Sequence, residues 1–415
     1  MRLLLCTILY LVGVIQGAPT TNATTTCEYF EAPSFTNRRL WNIVSGSVLT
    51  LFACIYSAIH PNIPSPKDSP FCILRRRLGI MIVALIAPEL VVVWAMRQWI
   101  SAHYAWTQTH SFFVLMGGFM LYVDGEPYRT LLPDEVLELI RKGCIDAPTL
   151  TAKRIGDRSK GNAISKGLII IQVAWFILQL MSRAIYHLET TELETGTLAF
   201  AVLNFLTYAV WWNKPLDVQC PYPVYWKSTE LKPEDHVHVY VCGSINYAVI
   251  YFVYLSVFDY NEDNVVMAAI TPFIYLMGFD VPTRKQLRVP TFDGSIELGQ
   301  SDRVILIFAG VLMATIFGGI HCMAWFFAFP TNQERLLWRI SAVAITCTPW
   351  IEFLLGAMYD RDVIGAFMAG SAMVILAMLY IASRGILLVL MFTTLRHLHV
   401  DAYKTVSWIS LVPHL

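Results

Sequence analysis

Charge is what this chain has least of. Only 14% of its 415 residues are charged, against roughly 25% in soluble domains, and 30 basic side chains balance 30 acidic ones. That balance removes the long-range field that would draw a nucleic acid or an acidic polymer, so neither is expected as a partner. The nine cysteines form no Cys-x-x-Cys pair and no zinc-ligand spacing, so no disulfide framework and no metal site is implied. A Gly-rich phosphate loop, a Gly-x-Ser-x-Gly elbow and a His-Glu-x-x-His helix are all missing, and the sequence names no cofactor. Nor is there a repeat with a period of roughly 20 to 50 residues.

What the chain has instead is apolar length. Hydrophobic residues make up 56% of it, the mean hydropathy is +0.54, and about ten segments approach the roughly 20 apolar residues that a bilayer core requires. The expected fold is therefore all-α, a polytopic transmembrane helical bundle of about nine or ten spans within residues 41–395, with the lipid bilayer as partner. Residues 1–17 read as a cleavable signal peptide, with one early arginine, an apolar run and small residues at Gly17 and Ala18. A short lumenal or extracellular tail, 18–40, follows and carries the glycosylation acceptor Asn22. These features place the chain in the secretory pathway or the plasma membrane.

With the tail outside, basic loops fix the threading. Residues 41–60 enter, and Lys67, Arg75, Arg76 and Arg77 mark a cytosolic loop. Residues 78–99 return outward and 103–123 cross back, because Lys153, Arg154, Arg158, Lys160 and Lys166 mark the next loop as cytosolic. That loop, 124–162, should carry a short amphipathic helix from Pro133-Asp134-Glu135, resting on the membrane surface. Residues 163–185 and 196–212 cross next, the latter ending in the interfacial anchor Trp211-Trp212-Asn213-Lys214-Pro215. Two weaker segments, 237–258 and 265–279, precede spans at 304–329, 338–358 and 372–395. Ten crossings leave the basic tail 396–415 outside, against the positive-inside rule; one segment that does not fully span, around 103–123 or late in the chain, would repair this, and only the late choice leaves the earlier assignments intact.

Ionisable groups inside spans are the functional candidates, because each costs roughly 2.5–3.5 kcal/mol at the bilayer centre unless paired or hydrated. They are Glu89 beside the kinking Pro88, Arg183, Glu352, Arg384 and His321, with Arg97 nearer a span end. Arg384 should have a carboxylate partner, Glu89 or Glu352. Ser165, Gln172, Gln179 and Arg183 are 7, 7 and 4 residues apart, a band of about 40° on a helix. Asn204 and Tyr208 share a face of the next span. Such stripes line a hydrated cavity or hydrogen-bond to each other in a packed bundle. Gly310, Ala314 and Gly318 recur every four residues, the pattern of close helix contact, and His321 and Cys322 follow them, as a metal or proton site or as structural residues.

Several motifs resemble a group of fungal multi-pass membrane proteins of unknown function. They include His60-Pro61-Asn62-Ile63-Pro64, Ala87-Pro88-Glu89-Leu90, Thr109-His110-Ser111-Phe112-Phe113, Asp157-Arg158-Ser159-Lys160-Gly161, Val289-Pro290-Thr291-Phe292 and Gly318-Gly319-Ile320-His321-Cys322. The resemblance covers most of the chain and implies a membrane location and a fungal source, with no catalytic residue to carry over. Two main classes of function stay open. One is binding or movement of a small molecule, ion or proton through a cavity lined by Gln172, Gln179, Arg183, Asn204 and Tyr208 and gated near Glu89. The other is a membrane-embedded enzyme acting on a lipid or terpenoid-like substrate with Glu89 or His321 as acid or base. A receptor or structural role is the third.

Overall fold

Prolines and capping side chains set where the helices begin. The computed structural model describes residues 35–103, 107–159, 163–227, 287–289, 291–292, 298–358 and 363–406. A short strand β1 (Phe35–Asn37) leads into helix α1 (Leu40–Ala58), then α2 (Pro70–Ile86) and α3 (Pro88–His103). Ser69 caps α2 by accepting the Cys72 amide, and Pro70 stands in the first turn, where a missing N–H goes unnoticed. Pro88 opens α3 directly behind α2, and at Ala87 between them the chain turns through 111°.

After this elbow come α4 (Gln108–Leu115), β2 (Phe119–Val123), β3 (Glu126–Thr130), α5 (Pro133–Arg141), α6 (Ala152–Arg158), α7 (Ala163–Ile185), α8 (Glu192–Val210) and β4 (Tyr222–Tyr225). The described chain ends with α9 (Gln300–Cys322), α10 (Asn332–Met358), α11 (Val363–Thr393) and β5 (Lys404–Val406). Among the described residues five stretches are long and apolar enough to cross a membrane: Leu40–Ser57, Gly167–Ile185, Glu192–Val210, Ser301–Phe326 and Ala372–His397. Their outward faces carry Phe52, Ile171, Ile305, Val374 and Ile375, all exposed.

Side-chain pairs fix how the helices run. α1 and α8 are parallel, with Arg38 beside Glu194 at one end and Ser57 bonded to Asn204 at the other. α7 lies against α1, its Gln172 donating to Thr50 Oγ1 at 3.1 Å. α9 and α10 are antiparallel, since Trp338 Nε1 donates to His321 O and Trp350 Nε1 to Thr315 Oγ1. Their contact needs glycine: a Cβ on Gly318 would stand 2.9 Å from Thr346 Cα. Gly310 is similarly tight against Val93 of α3, so the small-residue stripe is a packing surface. α11 returns to bring Arg396 within 2.8 Å of Glu334 at the start of α10.

Both ends of the described chain meet at one pole of this bundle, where β1 pairs antiparallel with β5. At the opposite pole Lys214 Nζ reaches His60 O at 2.6 Å and Gln98 Oε1 at 2.8 Å, and Arg77 pairs with Asp217. Arg77 belongs to the first half of α2 and Gln98 to the last turns of α3, so the α2–α3 pair enters and leaves the bundle at the same pole. A second, smaller core sits at that pole around the sheet β3-β2-β4, built from Phe113, Phe119, Leu121, Val136, Ile155 and Val224.

Several sequence expectations change here. The fold is mostly helical but not all-α, because two small sheets are present. Residues 107–123 hold no helix long enough to span: α4 has eight residues and ends at Leu115, and the chain turns at Gly117, whose φ of +87° suits glycine, before β2 begins. Residues 78–99 are not one straight helix but straddle the elbow. α5 starts at Pro133 as its sequence dictates, yet Val136 is wholly buried and Leu139 and Ile140 pack on the second core, so protein covers much of its apolar side. The signal peptide, Asn22 and the segments 237–258 and 265–279 lie outside the described residues.

Candidate functional site

Breaking a helix frees its last carbonyls and the next helix's first amides. At the elbow the freed groups are used by charged side chains. Arg384 of α11 donates from Nε to Ile86 O at 2.8 Å and from Nη2 to Leu85 O at 3.0 Å, placing a cation at the negative end of α2. It is 0% exposed and lies over the rings of Phe317 (4.2 Å) and Phe200 (5.3 Å). Glu89 stands in the first turn of α3, at the positive end of that helix, and is 6% exposed. Its Oε1 accepts the Tyr380 hydroxyl at 2.6 Å. Tyr380 and Arg384 are four residues apart on α11 and therefore share one face.

Three buried atoms at this centre have no hydrogen-bond partner among the described residues: Glu89 Oε2, Arg384 Nη1 and His321 Nε2. His321 Nδ1 is 2.9 Å from Phe317 O, and a carbonyl only accepts, so Nδ1 carries the hydrogen and Nε2 is a bare acceptor. The cluster thus offers one unused donor and two unused acceptors. Electrostatic coupling ties it together: Arg384 acts on both Glu89 and His321, and Glu352 of α10 acts on Tyr380. Beside Pro88 a crevice lined by Cys54, Ala84, Phe200, Asn204 and Thr207 has room for about one water molecule.

Glu89, Arg384 and His321, and more loosely Glu352, are thus brought together. The expected carboxylate for Arg384 is Glu89, but it acts across space while the guanidinium's hydrogen bonds go to carbonyls. The polar stripes on α7 and α8 do not converge on one cavity. Gln172 is used on Thr50, Asn204 on Ser57, and Gln179 is half-buried along α7. Tyr208 packs its ring near His60 and Trp212. Arg97 is half-buried on α3, eight residues beyond Glu89, or about 12 Å along a helix.

Arg183 serves the far pole. Its guanidinium donates to the carbonyls of Glu189, Asp401, Ala402 and Lys404. Arg38 donates to Ala402 O and pairs with Glu194 at 2.5 Å, so both arginines hold the chain's ends together.

Lys214 departs most from expectation. An interfacial anchor should reach outward, and Trp212 does, at 57% exposed; Lys214 turns inward and is 2% exposed. Its ammonium lies 4.2 Å from the Trp211 ring and 4.7 Å from that of Trp94. Burial pushes its pKa well below the ordinary lysine value. Tyr380 was not legible as a site residue, since a tyrosine in an apolar span reads as packing; its spacing of four from Arg384 was the available signal.

One family model matches the chain, over residues 5–105 and 102–248, and is described as a family of unknown function (DUF8562). No curated protein and no solved structure matches it. Glu89 lies within the matched part, whereas His321, Tyr380 and Arg384 lie beyond it.

Proposed function

We propose that this chain, which belongs to the family of unknown function DUF8562, is an integral membrane protein of the secretory pathway or plasma membrane that moves a proton, alone or with a small solute, through the site at the α2–α3 elbow. The observation that carries this reading is the elbow itself: a helix pair that dips into an apolar bundle and breaks there, with Glu89 and Arg384 at the two freed ends. Backbone that is not helical is tolerated at membrane depth only where it is buried in protein or lines a cavity. Discontinuous helices of this kind form the midplane sites of many secondary carriers. Glu89 takes and releases the proton, Tyr380 orients its carboxylate, and Arg384 supplies the counter-charge.

The test is reconstitution of the purified protein in vesicles loaded with a pH-sensitive dye, with a potassium diffusion potential as driving force. Proton entry should exceed that of protein-free vesicles, fall to their level in Glu89→Gln and survive in part in Glu89→Asp. Flux no greater than in empty vesicles, or undiminished in Glu89→Gln, would overturn the reading.

A further inference from the structure

A carboxylate held by a helix N-terminus, a hydroxyl and a guanidinium occupies what is chemically an anion site. Glu89 is held in this way. Its carboxylate lies at the positive end of the 16-residue α3, accepts the Tyr380 hydroxyl at 2.6 Å, and feels Arg384, whose Nη1 is fully buried with no partner among the described residues. Leu85 O and Ile86 O fix the guanidinium, and the Phe200 and Phe317 rings flank it. The guanidinium is therefore fixed in place, whereas the Glu89 carboxylate, held by one side-chain hydrogen bond, is the part that can leave.

We propose that this nook binds a small monovalent anion, a halide or a formate-sized carboxylate, in exchange for the carboxylate of Glu89. The driving reason is charge. An arginine with 0% exposure is strongly destabilising without a counter-charge nearby. When Glu89 takes a proton its charge is lost and Arg384 stands uncompensated; an entering anion restores the balance. One proton and one anion thus enter together, and the buried net charge is the same before and after. The titratable groups around this centre agree with the exchange: Tyr380 and Arg384 on α11 act on Glu89, His321 on α9 feels Arg384, Glu352 on α10 acts on Tyr380, and Cys54 of α1 lines the crevice beside Pro88. Among the described residues no carboxylate is hydrogen-bonded to Arg384, whose bonds go to Leu85 O and Ile86 O.

This inference rests on Glu89 being the exchangeable acid of the proposed carrier, but it is read by binding and not by flux. Glu89→Ala leaves a carboxylate-sized space against unchanged donors. Thermal denaturation of the purified variant in detergent, with sodium formate or chloride replacing sodium gluconate at constant pH and ionic strength, should show a saturable rise in Tm. Wild type at neutral pH should not respond, and Glu89→Ala with Tyr380→Phe should bind formate roughly tenfold more weakly, having lost one hydrogen bond to a charge. If Glu89→Ala does not fold, wild type provides the second route, since its Tm should respond to formate only as pH falls. A variant indifferent to formate and chloride, or a wild type equally sensitive at neutral pH, would overturn the anion site. Formate binding without any proton flux would instead sink the carrier reading and leave the site standing.

Discussion

Lys214 meets neutral oxygens and indole faces where a buried ammonium would ordinarily meet a carboxylate. Two hydrogen bonds and two cation–π contacts hold it, yet burial still lowers its pKa well below the ordinary value. The sign follows: between its folded pKa and the ordinary lysine value the unfolded chain binds more protons, so the fold gains stability as pH rises through that window. Lys214→Met should flatten the alkaline rise of Tm measured from pH 7 upward, and an unchanged slope would mean another group titrates. At this scale the sequence was informative where a charge stood alone in an apolar run. Glu89, Arg384 and His321 stood out for that reason and do converge. Lys214 misled because a lysine beside two tryptophans at a helix end has the pattern of an anchor, and only tertiary packing decides whether it points in or out.

Among elements, the start of α8 shows how a local motif becomes a tertiary one. Thr191-Glu192-Leu193-Glu194 is a capping box, with Glu194 N–H donating to Thr191 Oγ1 at 3.2 Å and Thr191 N–H to Glu194 Oε2 at 2.9 Å. The same Glu194 then pairs with Arg38, at 3% and 11% side-chain exposure, and so ties the helix to the strap formed by β1 and β5. Glu194→Gln retains the cap and breaks the ion pair, leaving Arg38 and Arg183 facing a neutral group. It should cost about 3 kcal/mol, seen as a lower Tm, with only a smaller further loss when Arg38→Met is added, since that change also removes the Arg38 hydrogen bond to Ala402 O. A Tm equal to that of wild type would show the pair to be marginal. The elements misread from sequence had visible signals too. Asp124-Gly125, with φ of 52° and 84°, is the two-residue turn joining β2 to β3, and such a pair between apolar alternations marks a hairpin. It was hidden because hydropathy over residues 103–123 also suits a span. Pro88 signalled a kink, but a 111° reversal depends on Arg384 arriving from nearly 300 residues away.

At the scale of the whole molecule the two misread segments offset each other. Residues 78–99 and 103–123 were each expected to cross; with α2–α3 re-entrant and α4–β2 short, both crossings vanish and the parity of every later loop is preserved. We therefore predict that α1, α7, α8, α9 and α11 cross, that α10, antiparallel to α9, crosses with them, and that β1 and β5 lie on one side. The β1–β5 pairing requires the last point in any case, since strands cannot pair through a bilayer. With both strands outside, the basic tail would sit where the positive-inside rule disfavours it. Lys404 pairs with Asp401 and Arg396 with Glu334, so part of that charge is neutralised locally. The check is glycosylation mapping in microsomes, with an acceptor sequence placed either after Val406 or within the Asp124-Gly125 turn. The tail acceptor and Asn22 should both be glycosylated, and the turn acceptor should not. Modification in the turn, or a tail left bare while Asn22 is modified, would mean that the re-entrant assignment of the elbow, and with it the placing of Glu89 at membrane depth, is wrong.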